Sequence, residues 1–269
     1  MLKKLSENLS RFIPLAFALL VSACGLLPDK TDETANWSAN KLYAEARDEL
    51  AAGGYDKAIQ YYEKLESRYP FGTYAQQAQM EIAYAHYRQA DQPQALAAVE
   101  RFIKLHPNHP NVDYMYYLRG LINFNDRLSP FDFLVPQDPS ERDPKAAREA
   151  FESFKQLVER YPDSIYAKDS LARMKYLVNA LAQHDVYVAR YYFRRGAYLA
   201  SLNRAQGIVK DYGDAPASEE ALFIMVRCYD ALGLTQLRDD SERVLTKNYP
   251  KSRFANGDGT VAKAWWRFW

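Results

Sequence analysis

An all-α fold of stacked helical hairpins is what this sequence predicts, on two observations. Ala- and Leu-rich amphipathic runs dominate the chain, with no convincing period-2 alternation and no Asn-Gly hairpin, and only 11 of the 269 residues are glycine. The runs also end on one recurring mark, at Tyr69-Pro70, His106-Pro107, Tyr161-Pro162, Tyr212-Gly213 and Tyr249-Pro250. Intervals of 37, 55, 51 and 37 residues between these marks read as an array of repeats.

The chain begins with a leader. Lys3, Lys4 and Arg11 precede an apolar stretch from Phe12 to Val21, too short for a membrane span but suited to a secretory signal. Val21-Ser22-Ala23-Cys24 then resembles a bacterial lipobox: an aliphatic residue, two small ones that fit a narrow peptidase cleft, and the thiol that accepts a diacylglyceryl group. Residues 1–23 are therefore expected to be a lipoprotein signal peptide, with Cys24 the lipid attachment site and first mature residue. Each buried methylene contributes about 0.8 kcal/mol, so several acyl chains on Cys24 anchor firmly. Gly25 stands where an inner-membrane retention signal has Asp, which favours the outer membrane. Residues 24–37 are the lipidated cysteine and a polar tether, whose thirteen residues from 25 to 37 reach about 45 Å when stretched.

The solenoid is expected over residues 38–250. In the first three units a small residue, two large apolar ones and a proline fall at offsets 0, 4, 7 and 12: Ala58, Tyr62, Leu65, Pro70; Ala95, Val99, Phe102, Pro107; Ala150, Phe154, Leu157, Pro162. Alanine lets two helices approach, the residues four and seven later share its face, and proline ends the helix. These are the second-helix positions of a tetratricopeptide (TPR) unit. The expected fold is thus all-α, a TPR-like right-handed superhelical solenoid of about five helix-turn-helix repeats. The fourth unit reads as Ala200 and Gly207 with Arg204 at an offset that normally takes an apolar residue; the fifth reads as Arg238, Glu242 and Leu245. Extra length in the third unit falls at residues 127–143, RLSPFDFLVPQDPSERD, whose turn chemistry predicts a loop: a tolerated insertion or a partner-docking segment. Extra length in the fourth unit lengthens its first helix to roughly Ser164–Arg195, with a candidate break near His184-Asp185 and an end at Gly196. Residues 251–269 form an aromatic tail, with Trp265, Trp266, Phe268 and Trp269 able to cap the last repeat, bind a partner or touch a membrane interface.

Composition excludes several functions. The net charge is +1 and the leader carries an excess of two positive charges, so the remainder is about −1, no footprint for nucleic acid. With Cys24 acylated, Cys228 is the one remaining thiol, so no intrachain disulfide forms, and its apolar helical surroundings mark it as a packing residue. His106 and His109 each precede a proline and suit turns better than metal ligation. No GxSxG, HExxH or phosphate-cradling glycine loop occurs, so no catalytic residue, metal or cofactor is expected. A peptidoglycan-active enzyme is the remaining catalytic alternative, and the repeats leave no room for its separate domain. Two stretches read as contact surfaces, residues 187–204 and the aromatic tail. YVARYYFRRGAYLASLNR (187–204) places Arg190, Arg194, Arg195 and Arg204 among aromatic residues, which suits either an interface hot spot or a solvated face over core aromatics.

The lipobox, RYPFGTYAQQ (68–77), QADQPQALAAVERFIKLHPNHPNVDYMYYLRG (89–120), RDPKAAREAF (142–151), YPDSIY (161–166) and residues 187–204 together resemble the BamD (ComL/YfiO) family, the TPR lipoproteins of the outer-membrane β-barrel assembly machinery, from about Ala35 to Tyr249. The resemblance implies a non-catalytic scaffold on the periplasmic face of the outer membrane. Its partners would be the POTRA domains of BamA, the other lipoproteins of the complex and unfolded outer-membrane proteins, with the membrane reached through Cys24 and no nucleic acid bound. It implies BamA binding at Arg204, with Arg194 and Arg195 nearby, and reception of C-terminal strand signals by the N-terminal repeats, in a groove whose candidate residues are Tyr62, Phe71 and Tyr74. The rival reading is a pilotin-like lipoprotein escorting a secretin or pilus subunit.

Overall fold

Each of the five end marks becomes the same turn. The backbone N–H of Tyr69, His106, Tyr161, Tyr212 and Tyr249 donates to the carbonyl four residues earlier, at 2.8 Å in every case. Where measured, φ at these residues lies between −127° and −130°, outside the helix. Proline explains four of the five, because its ring pushes the preceding residue out of the α region; Gly213 follows the fifth.

The computed structural model describes residues 32–124, 144–252 and 254. Among them are ten helices: α1 (Ala39–Ala52), α2 (Tyr55–Arg68), α3 (Thr73–Arg88), α4 (Gln92–Leu105), α5 (Val112–Phe124), α6 (Pro144–Arg160), α7 (Ala167–Arg194), α8 (Tyr198–Asp211), α9 (Ala217–Ala231) and α10 (Thr235–Asn248). They pair into five hairpins, and every helix packs against the next in sequence. The core is correspondingly sequential. One cluster joins Leu42, Tyr62 and Ile82 of α1, α2 and α3; the next joins Met80, Phe102 and Leu118 of α3, α4 and α5. A third joins Val186, Ile208 and Ile224 of α7, α8 and α9. Each hairpin thus buries its apolar faces partly in itself and partly beneath the first helix of the next, the logic of a helical-repeat solenoid. No helix among the described residues is long and apolar enough to cross a membrane.

Two features set the spacing within hairpins. The first helix ends at a left-handed residue in four of them: Gly53, Ala90, Gly196 and Gly233, with φ between 65° and 83°. Between α5 and α6 the approach is closer. A Cβ at Gly120 would lie 2.4 Å from the ring of Phe154, so only glycine admits the phenyl group there.

The structure departs from the sequence reading at four places. Helix α7 runs unbroken for 28 residues through His184-Asp185, because Leu181, Ala182, Val186 and Ala189 form a continuous buried face across that point. In α8 the buried set is Ser201, Leu202, Ala205 and Ile208, so the repeat register counts back from Tyr212 as the turn residue and Arg204 lies on the exposed side. Tyr62 is completely buried and cannot line a groove: it fills the same core position as Val99 and Phe154. Finally, residues 32–37 are not free tether. Asp32 pairs with Lys64 and Arg68, Thr34 is buried, and Trp37 packs on Tyr61 at 5.6 Å. Only residues 25–31 separate Cys24 from this packed segment, a reach of about 25 Å. Cys24, residues 127–143 and the aromatic tail lie outside the described residues.

Candidate protein-binding surfaces

Helix α3 supplies the centre of a groove. Its small and apolar residues, among them Ala75, Ala78, Ile82 and Ala83, face the core, which leaves Tyr74, Gln77, Glu81 and Tyr84, spaced three and four apart, as a separate stripe. Tyr43 of α1 flanks this stripe on one side, its ring 5.5 Å from that of Tyr74. Tyr114 and Tyr117 of α5 flank it on the other. Tyr166, at the start of α7, lies 5.6 Å from Tyr114 and stacks on Tyr117 at 4.7 Å. The concavity between α3, α5 and the loops before α5 and α7 measures about 530 Å³ and is walled by Met80, Tyr84, Tyr114 and Tyr166, with Ile165 standing exposed at its rim. Phe71, 91% exposed, stands just before α3 and Tyr74 in its first turn; neither is among the residues that line this concavity.

The electrostatics of the groove are tuned by burial. Desolvation raises the Glu81 carboxyl above its ordinary value, only partly opposed by Arg47. Burial and then the Glu81 charge raise the phenols of Tyr43, Tyr62 and Tyr114. At Asp169 burial pulls upward, but hydrogen bonds from Tyr117 at 2.7 Å and Arg173 at 2.6 Å prevail and hold the carboxyl below its usual range. Asp113 is fixed by bonds from the Ser164 hydroxyl at 2.7 Å and the Tyr114 N–H at 2.8 Å. Among the described residues, the lining of the concavity consists of tyrosines, carboxylates, amides and a few small or apolar side chains. Among the described residues no group of His, Cys, Asp or Glu could hold a metal ion. His106 closes α4 and sits 3.0 Å from the Gln79 amide oxygen, and His109 caps its own turn. Cys228 is buried, with its thiol raised by desolvation.

The arginines divide into three environments. Arg190 donates from Nε and Nη2 to the two oxygens of the Glu220 carboxylate, tying α7 to α9. Arg194 and Arg195 are exposed at the end of α7, with the Arg195 guanidinium 5.4 Å from the Tyr191 ring. Arg204 is exposed on α8 and reaches Asp185 of α7 at 3.3 Å. Asp185 lies nine residues before Arg194 on the same helix, so Arg204 and the Arg194–Arg195 pair are about 14 Å apart along it. Arg227, which the sequence reading did not single out, lies over Phe193 and Phe223 at 5.6 and 5.8 Å. The groove tyrosines 43, 114, 117 and 166 and Glu81 were also missed. Tyr43, Glu81, Tyr114 and Tyr117 lie on first helices and Tyr166 just before one, and the sequence offers no common spacing that marks them.

Comparison with known proteins places these surfaces in context. The YfiO family profile, described as outer membrane lipoprotein, matches residues 35–244. The chain is 47% identical to the outer membrane protein assembly factor BamD of Neisseria meningitidis serogroup A over 96% of its own length and 98% of that protein. It is 46% identical to the factor of the same name from Neisseria gonorrhoeae, over the same shares, and 38% identical to that from Vibrio cholerae, over 87% of this chain and 95% of that one.

Proposed function

This chain belongs to the YfiO family of outer membrane lipoproteins, and from that premise we propose how it acts as an outer membrane protein assembly factor. It is a non-catalytic scaffold of the β-barrel assembly complex with two working ends. At the N-terminal end, the tyrosine-walled groove across α1, α3 and α5, with Phe71 just before α3 and Tyr74 in its first turn, receives an extended, aromatic-bearing segment of an unfolded outer-membrane protein. At the C-terminal end, Arg204, Arg195 and Arg194 face the POTRA domains of BamA. Acyl chains on Cys24 hold the solenoid to the periplasmic face of the outer membrane, with the signal peptide of residues 1–23 removed and the other lipoproteins of the complex as neighbours. Coincident occupation of both ends brings a substrate strand to the barrel that will fold it.

The observation that carries this reading is similarity to assembly factors over nearly the whole chain, 47% identity across 96% of its length. Escort of a secretin and peptidoglycan chemistry have no such support. The test is a mild-detergent pull-down of the full-length lipoprotein from its native envelope, with and without Arg204→Glu. The wild type is expected to recover a POTRA-containing barrel protein. Charge reversal beside Asp185 is expected to lower that recovery about tenfold at unchanged helicity. Equal recovery from both proteins would remove Arg204 from the interface; recovery of a secretin instead would replace the proposed function.

A further inference from the structure

The proposed peptide groove has an uneven charge. Among the described residues three carboxylates line its concavity, Glu81 of α3, Asp113 of α5 and Asp163 of the loop before α7, and no lysine, arginine or histidine does. The tyrosine rings of Tyr84, Tyr114 and Tyr166 stand among them. Asp113 has partners of its own, but among the described residues no ion pair joins Glu81 to a cation; Arg47 of α1 acts on it from outside the groove lining. Glu81 thus borders the concavity with no cation in the lining beside it. A long cationic side chain supplies what is missing: an apolar stem for the walls, a charge for the carboxylates and a favourable position over a tyrosine face.

We infer that the groove selects segments in which a lysine or arginine accompanies the aromatic residue, the cation entering between Glu81 and Asp113 while the aromatic side chain packs on the neighbouring tyrosines. This rests on the reading of the groove as the substrate site. It makes the groove a charge filter as well as an aromatic one, and it disfavours acidic segments by repulsion.

The test uses the full-length lipoprotein in mild detergent and fluorescein-labelled ten-residue peptides that end in Phe and differ at one neighbouring position, Lys, Gln or Glu. Fluorescence anisotropy at low salt is expected to show the Lys peptide binding about tenfold more tightly than the Glu peptide, with Gln between them and the spread narrowing as salt rises. In the double variant Glu81→Gln, Asp113→Asn the Lys-to-Glu ratio is expected to fall toward one; in Glu242→Gln, at the far end of the solenoid, it is expected to persist. Equal binding of the three peptides, together with loss of binding on Phe→Ala, would overturn the charge filter and leave the groove standing. Undiminished selectivity in the double variant would also overturn it, by placing the selection elsewhere. If none of the peptides binds, the groove reading fails and the filter fails with it.

Discussion

Seven residues before the closing turn, the third hairpin has Phe154 and the fifth has Glu242; eleven before it, they have Ala150 and Arg238. Phe154 and Ala150 are completely buried, whereas Glu242 is exposed and Arg238 reaches out to Asp230 at 3.1 Å. The helices themselves are alike, of comparable length and closed by the same 2.8 Å bond. The difference lies in the neighbour. A second helix in hairpins one to four is covered by the first helix of the next hairpin, and among the described residues nothing follows α10 in that way. Its far face carries charge where the others carry core, as a terminal repeat must. A repeat offset therefore specifies a place in the stack, and burial depends on what is stacked upon it.

Substitutions at the matched positions would test that contrast. Phe154→Ala is expected to cost about 3–5 kcal/mol, because it deletes a buried ring that contacts Tyr117, Phe124 and Gly120, whereas Glu242→Ala at the same offset should stay within about 0.5 kcal/mol. Urea unfolding midpoints measure both, and equal costs would mean that the two ends are packed alike. Gly120→Ala presses on the same ring from the other side and should cost about 1–3 kcal/mol, read as a lower melting temperature. Ala90→Gly should be stabilising by about 0.5–1 kcal/mol, since Ala90 holds φ of 65° where the three matching turns have glycine. A loss of stability there would show that the alanine methyl packs usefully.

The last contrast is one of pH, between Glu81 in the groove and Asp32 at the N-terminal clamp. Glu81 is raised in the fold, so its burial penalty is present at neutral pH and disappears below the ordinary value of 4.5. Glu81→Gln should therefore raise stability at pH 7, with the gain fading on acidification. Asp32 has the opposite sign. Hydrogen bonds from Lys64 and Thr34 hold it well below its ordinary value of 3.8, so its contribution is present above that pH and is lost as pH falls further. Stability curves of Glu81→Gln and Asp32→Asn from pH 3 to pH 7 check both signs (thermal melts suffice). Destabilisation by Glu81→Gln at pH 7 would mean that Arg47 satisfies the carboxylate.

Much of the scaffold was legible because helix periodicity and proline are local. Ala58, Leu65, Val99, Phe102 and Leu157 are fully buried at their expected offsets, and every end mark became a turn. The fourth unit shows the limit. A register one residue out, counted onto Tyr212 in place of Gly213, turned exposed Arg204 into a core exception, since small residues at 200, 201, 205 and 207 satisfy either phase. Tyr62 shows another: a tyrosine on a periodic face suits core and groove equally, and only the packing of α1 and α3 over it excludes the groove.

The sequence by itself determined that this chain is a stack of helical hairpins, where each hairpin ends, and the lipobox pattern at Cys24, because proline geometry, 3.6-residue periodicity and a four-residue motif act through neighbours in the chain. Only the tertiary structure decided which tyrosines share a groove, that Glu81 faces it with no paired cation, that Arg190 is tied inward while Arg194, Arg195 and Arg204 stay outside, and that residues 32–37 belong to the solenoid. Those outcomes depend on which face of each helix its neighbours cover, and the neighbours arrive from 30 or more residues away.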